Sequence, residues 1–123
     1  MVHLDAIIVG AGFSGLYQLD QLRKKGFNVK IVESAPGLGG VWYWNRYPGA
    51  RVDTHSTIYQ YSIENLWAKW NYSELYPTHK EIREYFKFVD QQLDLSKDII
   101  FNTKVLTANF DRKQKLWTIT LDT

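Results

Sequence analysis

A chain of 123 residues, 45% apolar and 23% charged, is long enough for one domain with a real core and reads as globular rather than disordered or fibrous. Fifteen basic against thirteen acidic residues leave a formal charge of +2 with no long run of one sign, so there is no electrostatic case for nucleic acid or an anionic membrane. No cysteine is present, which excludes disulfides and thiolate metal sites, and His3, His55 and His79 lack metal-ligand spacing, so no metal is expected.

No apolar stretch approaches the roughly 20 residues needed to cross a bilayer. The apolar start, Ala6 to Gly12, has no basic segment before it, so a secretory signal is not expected and a cytoplasmic location is the default. Oligomeric state is not legible. The unusual item is aromatic content: five Trp, eight Tyr and six Phe, many of them between Trp42 and Phe88.

In chain order, Asp5 to Val9 is a short apolar run bounded by glycine and predicts a buried strand. A helix is expected from Phe13 or Ser14 to Lys25, with Leu16, Leu19 and Leu22 on its inner side and Gly26 after its last turn. Asn28 to Val32 predicts a second strand, parallel to the first, closing with Glu33. Residues 34 to 57 are rich in glycine and read as a long ordered loop, a length that is usually functional. Thr78 and Glu81 suggest a capping box opening a helix from Lys80 to about Leu93, with Ile82, Phe86, Val89 and Leu93 on one face. Ile99 to Phe101, Val105 to Phe110 and Leu116 to Leu121 predict a late β segment. Its last strand should place Trp117, Ile119 and Leu121 on one face. There is no internal repeat, and the whole reads as one unit.

Gly10-Ala11-Gly12-Phe13-Ser14-Gly15 is a G-x-G-x-x-G pattern. Alone it is weak, but here it leaves a strand and opens a helix, the context the motif requires. Gly10 permits the tight turn, Gly12 lets a pyrophosphate approach the backbone, and Gly15 lets helix and strand pack closely. Glu33, eighteen residues after Gly15, stands where a carboxylate can hold ribose hydroxyls. A glycine-rich turn before an ordinary helix, with Glu33 a surface charge, is the plainer alternative. A carboxylate would repel a 2′-phosphate and neither Ser34 nor Ala35 attracts one, so the site should take FAD or NAD and not NADP.

The run Gly39-Gly40-Val41-Trp42-Tyr43-Trp44-Asn45-Arg46-Tyr47-Pro48-Gly49-Ala50-Arg51-Val52-Asp53, followed by Asp-x-x-Ser, resembles the motif of type I Baeyer–Villiger monooxygenases, as does the GAGFSGLY segment. The resemblance extends loosely over all 123 residues, with its specificity concentrated in residues 8 to 56. It implies an α/β fold: a partial Rossmann-like FAD-binding domain with a βαβ unit, a Gly/Trp-rich loop, a helix and an antiparallel β segment. It further implies FAD at the first dinucleotide site, with Gly10, Gly12, Phe13, Ser14 and Gly15 at the pyrophosphate and Glu33 at the adenosine ribose. Gly40 and Val41, Trp42, Tyr43 and Trp44 would line the path toward the isoalloxazine, Asp53 and Tyr59 would lie near the flavin, and Val105 would meet the adenine end through its main chain. Arg51 and Asp53 would face the nicotinamide of NADPH, the one pair with an implied catalytic part.

The residues themselves leave alternatives open. The aromatics can instead form a packed loop core, and Arg51 with Asp53 can equally be a structural ion pair. The family pattern tends to an acidic residue where His55 stands, which is a departure. Tyr76 to Lys80 matches the Tyr-x-x-x-Lys pair of short-chain dehydrogenases, but Pro77 biases Tyr76 away from the helix, so the match is read as chance. The family reaction, ketone to ester or lactone with NADPH and oxygen, also requires a second nucleotide-binding fold, and no glycine follows Gly49. The expectation is the N-terminal part of an FAD-binding domain, not competent alone, with ketone as substrate only in a full-length form. A stand-alone FAD- or NAD-binding module and a non-catalytic remnant are the competing readings.

Overall fold

Ala6 to Val9 forms strand β1 and Val29 to Val32 strand β2, paired in parallel with Ala6 opposite Val29 and Val9 opposite Val32. The computed structural model that shows this describes all residues, 1–123, and they divide into two compact units, Met1–Leu38 with Leu95–Thr123, and Gly39–Asp94.

In the first unit, helix α1 (Phe13–Lys24) joins β1 to β2 and buries Leu16 and Leu19 completely, as their three-residue spacing predicts. Leu22 is only half-buried, being in the last turn. The helix closes with the Gly26 N–H donating to the Arg23 carbonyl at 2.9 Å and the Phe27 N–H to the Leu22 carbonyl at 3.2 Å, which caps the last-turn carbonyls.

The residues predict a strand over Ile99 to Phe101, in a β segment that the family resemblance implies to be antiparallel, and for Ile99 the structure differs. Strand β3 (Ile99–Ile100) pairs in parallel with β2, Ile31 opposite Ile99, giving the order β1-β2-β3. Its partner lies some seventy residues earlier, and two or three apolar residues carry no signal about so distant a pairing. Burial of Ile31 from all sides in the central strand is the consequence.

A 3₁₀ turn, Ser96–Asp98, delivers Asp98 to this sheet. Its carboxylate accepts from Lys30 Nζ at 2.6 Å and from Arg23 Nη1 at 3.0 Å, tying β3 to β2 and α1. Burial alone would raise this carboxyl, but the hydrogen bonds and charges of Lys30 and Arg23 outweigh it and hold it below the ordinary aspartate value. A depressed folded value means stabilisation that is present above the unfolded pKa and is lost as pH falls through the folded one. Asp98→Asn should therefore lower stability by about 1–3 kcal/mol at neutral pH. The difference from wild type should shrink toward pH 3. Urea midpoints at the two pH values check it, and an unchanged difference would remove the ion triad from the account.

Strands β4 (Lys104–Asp111) and β5 (Leu116–Asp122) form an antiparallel hairpin with an irregularity between Val105 and Thr107. Asp111 Oδ1 accepts from the Lys113 and Gln114 N–H groups at 2.8 and 3.1 Å, which builds the turn. The predicted alternation gives the strand but not a buried face. Ile119 is half-buried, while Trp117 is 62% exposed and lies tilted at 47° against Phe110, ring centres 5.2 Å apart.

In the second unit, helix α4 (His79–Leu93) starts at Thr78, whose Oγ1 accepts from the Glu81 N–H at 3.4 Å. The capping box is only half made, because the Glu81 carboxylate accepts from Ser73 N–H and Oγ at 3.0 and 2.6 Å instead of reaching back. Ile82, Phe86 and Val89 are buried as expected, Leu93 only partly, and Tyr85 is buried as well. Tyr85 gathers an aromatic core, with Trp70, Tyr72 and Tyr61 at 5.3, 5.5 and 6.2 Å, and its hydroxyl accepts from the Tyr61 N–H at 2.8 Å. Burial in that cluster pushes the Tyr85 hydroxyl up to about 12. Part of the predicted long loop is helical: α2 (Val41–Trp44) is a single turn within it, and α3 (Glu64–Trp67) is another beyond its end, both too short for periodicity to reveal. No helix is long and apolar enough to cross a membrane.

Candidate dinucleotide site

The chain leaves β1 and turns at Gly10, which has φ +102° and whose N–H donates to the Val32 carbonyl at 2.9 Å. That backbone angle is one L side chains rarely adopt. Gly15, in the first turn of α1, is needed for a different reason: a Cβ there would overlap the Gly10 carbonyl oxygen. The two glycines thus let the helix start directly against the strand's end. Gly12 sits at the N-cap, no side chain caps it, and the first turn carries no acid. The N-terminal end of α1 is therefore left electropositive, with its dipole aimed outward. Phe13 is half-buried; Ser14 is exposed, its Oγ accepting from Gln18 Nε2 at 3.1 Å.

Glu33 follows β2 and is 6% exposed, so it is not a surface charge. Its Oε1 accepts from the Ala11 N–H, inside the glycine turn, at 2.8 Å, and its Oε2 from the Ala35 N–H at 2.8 Å. Its main chain is held as well, N–H to the Ile100 carbonyl at 2.9 Å and carbonyl from the Thr103 N–H at 3.0 Å. One residue therefore braces the turn against the ends of all three parallel strands. Oε1 retains a second lone pair, enough to accept from a ligand hydroxyl. Ser34 beside it is exposed, and no Lys or Arg follows in the turn. Val105 lies at the start of β4, half-buried and opposite Leu121. These features fit the adenosine-diphosphate end of a dinucleotide: a turn that only glycine permits, an uncapped helix terminus and a fixed carboxylate.

The second unit holds the remaining candidates. Trp42 donates its indole N–H to the Tyr59 hydroxyl at 2.8 Å, and its carbonyl accepts from Arg83 Nη1 at 3.2 Å. Gly40 precedes it as the N-cap of α2. Tyr43 is half-buried with the Arg46 guanidinium 4.6 Å above its ring, and Val41 and Trp44 are exposed.

Arg51 and Asp53 are not brought together. Arg51 forms a backbone bridge with Thr78, which sends its side chain along residues 74–76. Its Nη1 meets Glu74 Oε2 at 2.9 Å and the Tyr76 carbonyl at 3.1 Å. Asp53 is exposed and outside that pair. His55 is exposed, its Nδ1 2.8 Å from Thr57 Oγ1. Tyr76 precedes α4 and does not share a helix with Lys80, so the dehydrogenase-like pair is chance.

Sequence reasoning passed over Arg83 and set His79 aside. Their i, i+4 spacing was the available signal, since it places both on one face of a helix. What it did not show was that this face meets the carbonyl of Trp42.

The model for the NAD(P)-binding Rossmann-like domain matches residues 8–73. Cyclopentanone 1,2-monooxygenase of Comamonas sp. (strain NCIMB 9872) is 56% identical over 116 residues, covering 94% of this chain and 21% of that protein. Acetone monooxygenase (methyl acetate-forming) of Gordonia sp. (strain TY-5) is 44% identical over 118 residues, 95% of this chain and 22% of that protein. Among solved structures, an oxidized steroid monooxygenase bound to NADP superposes with a TM-score of 0.95 at 46% identity, covering 97% of this chain and 23% of that one. OTEMO in complex with FAD and NADP gives 0.94 at 36% identity, covering 99% and 23%. The chain thus spans about a fifth of the length of these relatives. It belongs to the NAD(P)-binding Rossmann-like domain family and is homologous to the N-terminal part of flavin monooxygenases of the Baeyer–Villiger type.

Proposed function

We propose that the protein supplies the FAD-binding portion of an NADPH-dependent Baeyer–Villiger monooxygenase, a class that converts ketones to esters or lactones. The observation that carries this reading is the glycine turn at the head of α1, braced by the buried Glu33, in a chain with ketone monooxygenases among its relatives. Gly10, Gly12, Phe13, Ser14 and Gly15 hold the pyrophosphate, Glu33 accepts from the adenosine ribose, and Val105 meets the adenine with its main chain. Gly40, Val41 to Trp44, Asp53 and Tyr59 serve the flavin. Arg51 and Asp53 serve the nicotinamide as separate groups, since they are not an ion pair.

The bound flavin supplies the hydride and oxygen chemistry, and the protein positions and shields it. The electropositive start of α1 neutralises phosphate, and apolar rings at Trp42 and Tyr59 keep water from the flavin's surroundings. One glycine-rich nucleotide turn is present, so this chain is not competent alone.

The test is direct. The chain is mixed with FAD, desalted, and its visible spectrum and flavin fluorescence recorded. Retained and quenched flavin is the expected result. Flavin lost from a chain that is folded by circular dichroism would make the protein a non-catalytic remnant, and retention of NAD without FAD would make it a different binding module.

A further inference from the structure

A single helical turn such as α2 does not hold itself, because nucleating a helix is unfavourable and only longer helices repay it. Beside the bond from the Trp42 indole to the Tyr59 hydroxyl, a short relay anchors it at the main chain. Arg83 Nη1 donates to the Trp42 carbonyl at 3.2 Å, and the same nitrogen lies 2.7 Å from Nδ1 of His79, one turn earlier on α4. A guanidinium has donors and no acceptor, so Nδ1 is the acceptor and the imidazole is neutral, with its proton on Nε2. Both hydrogens of Nη1 are then committed, one to each partner.

We propose that His79 and Arg83 are positioning residues for Trp42, forming a pH-sensitive latch: protonation of His79 turns its acceptor into a donor, frees Arg83 and loosens α2. The role in the flavin site rests on the function proposed above; the latch itself does not. The charged groups around His79 favour this behaviour. Arg83 on its own helix and Arg46 after α2 are both cations whose charges reach it. Its N–H donates to the Ala50 carbonyl at 2.9 Å, next to Arg51, which is paired with Glu74. Lys80 and Glu81 flank it on α4, and Glu81 is engaged by Ser73. The charges that bear on the His79 imidazole are the cations Arg83 and Arg46. Burial first, then Arg83 and Arg46, hold its imidazole below the ordinary value of 6.5. The latch is closed at neutral pH. With a depressed folded value, the unfolded chain takes up the proton first, so the stabilisation is lost as pH falls below about 6.5 and through the folded value.

Trp42-Tyr43 is the one Trp-Tyr step in the sequence, so carbonyl-labelled Trp with nitrogen-labelled Tyr leaves a single correlation that reports the Trp42 carbonyl. Between about pH 8 and about pH 5, this resonance should titrate with a midpoint below that of an ordinary histidine. His79→Gln, which keeps an acceptor but cannot titrate, should abolish the shift, while His55→Gln leaves it in place. Flavin affinity should fall about two- to tenfold over the same range in wild type, the worth of one hydrogen bond, and not in His79→Gln. A flat wild-type resonance, which needs no variant to observe, overturns the latch; so does a titration unchanged in His79→Gln. Failure to retain FAD at either pH would instead count against the proposed function and leave the carbonyl titration standing.

Discussion

Gly15→Ala should destabilise the protein and weaken FAD retention at least tenfold, although alanine is the better helix former. In an unhindered helix interior this exchange stabilises by about 0.5–1 kcal/mol, since glycine loses more freedom on folding. Here the added methyl would overlap the Gly10 carbonyl oxygen, which belongs to the backbone of a turn tied to β2. A flexible side chain could swing aside, whereas the backbone of Gly10, whose N–H is bonded to the Val32 carbonyl of β2, cannot. Helix and strand must separate, at a cost of about 1–3 kcal/mol typical of overpacking, so the net sign reverses. The same displacement moves the N-terminal amides away from the pyrophosphate, and about 1.4 kcal/mol of lost binding is tenfold. Urea unfolding with and without FAD separates the two effects. A stabilised Gly15→Ala would show that α1 does not approach β1 as closely as this.

Glu33→Ala should be the larger loss of stability, about 2–4 kcal/mol, because it leaves the Ala11 and Ala35 N–H groups without their acceptors. Glu33→Gln keeps one acceptor oxygen but points an amide N–H₂ at the other donor, so about half that loss is expected. Both variants also remove the ribose-holding carboxylate of the proposed site. Comparing them distinguishes the brace from the ligand: if Glu33 is chiefly a brace, Gln recovers stability and flavin together. Should Gln recover stability while flavin is still lost, the carboxylate holds flavin mainly through its contact with ribose. Equal stability of wild type and Glu33→Ala by denaturant midpoint would exclude the brace altogether.

The glycine turn was legible because its conditions are local. A strand, two glycines with separate steric duties, a helix and an acid follow one another within about thirty residues, and each step constrains the next. Helix α4 was legible for a similar reason, its apolar residues repeating at helical spacing over four turns. Two-residue β3 was not, since its parallel partner is remote in sequence. Nor was the exposure of Trp117 on the hairpin, because alternation predicts a strand's two faces and not what covers them.

Charged and polar partnerships divide in the same way. Arg51 and Asp53, two residues apart, looked like a pair, yet a backbone bridge to Thr78 commits Arg51 to Glu74. The i, i+4 spacing of His79 and Arg83 does not by itself distinguish them from a solvated helix face. Their roles depend on where a four-residue turn, forty residues away, happens to place one carbonyl.

By itself, then, the sequence determined the βαβ unit, the glycine turn with its helix and acid, the long amphipathic helix and the family resemblance. These are set by sterics and periodicity acting over short stretches of chain. Only the tertiary structure decided the third parallel strand, the bracing of the turn by a buried Glu33, the partner of Arg51 and the relay to Trp42. Each of those depends on a hydrogen bond or ion pair between residues distant in sequence, and such a partner is selected by the packing of the whole unit rather than by its neighbours.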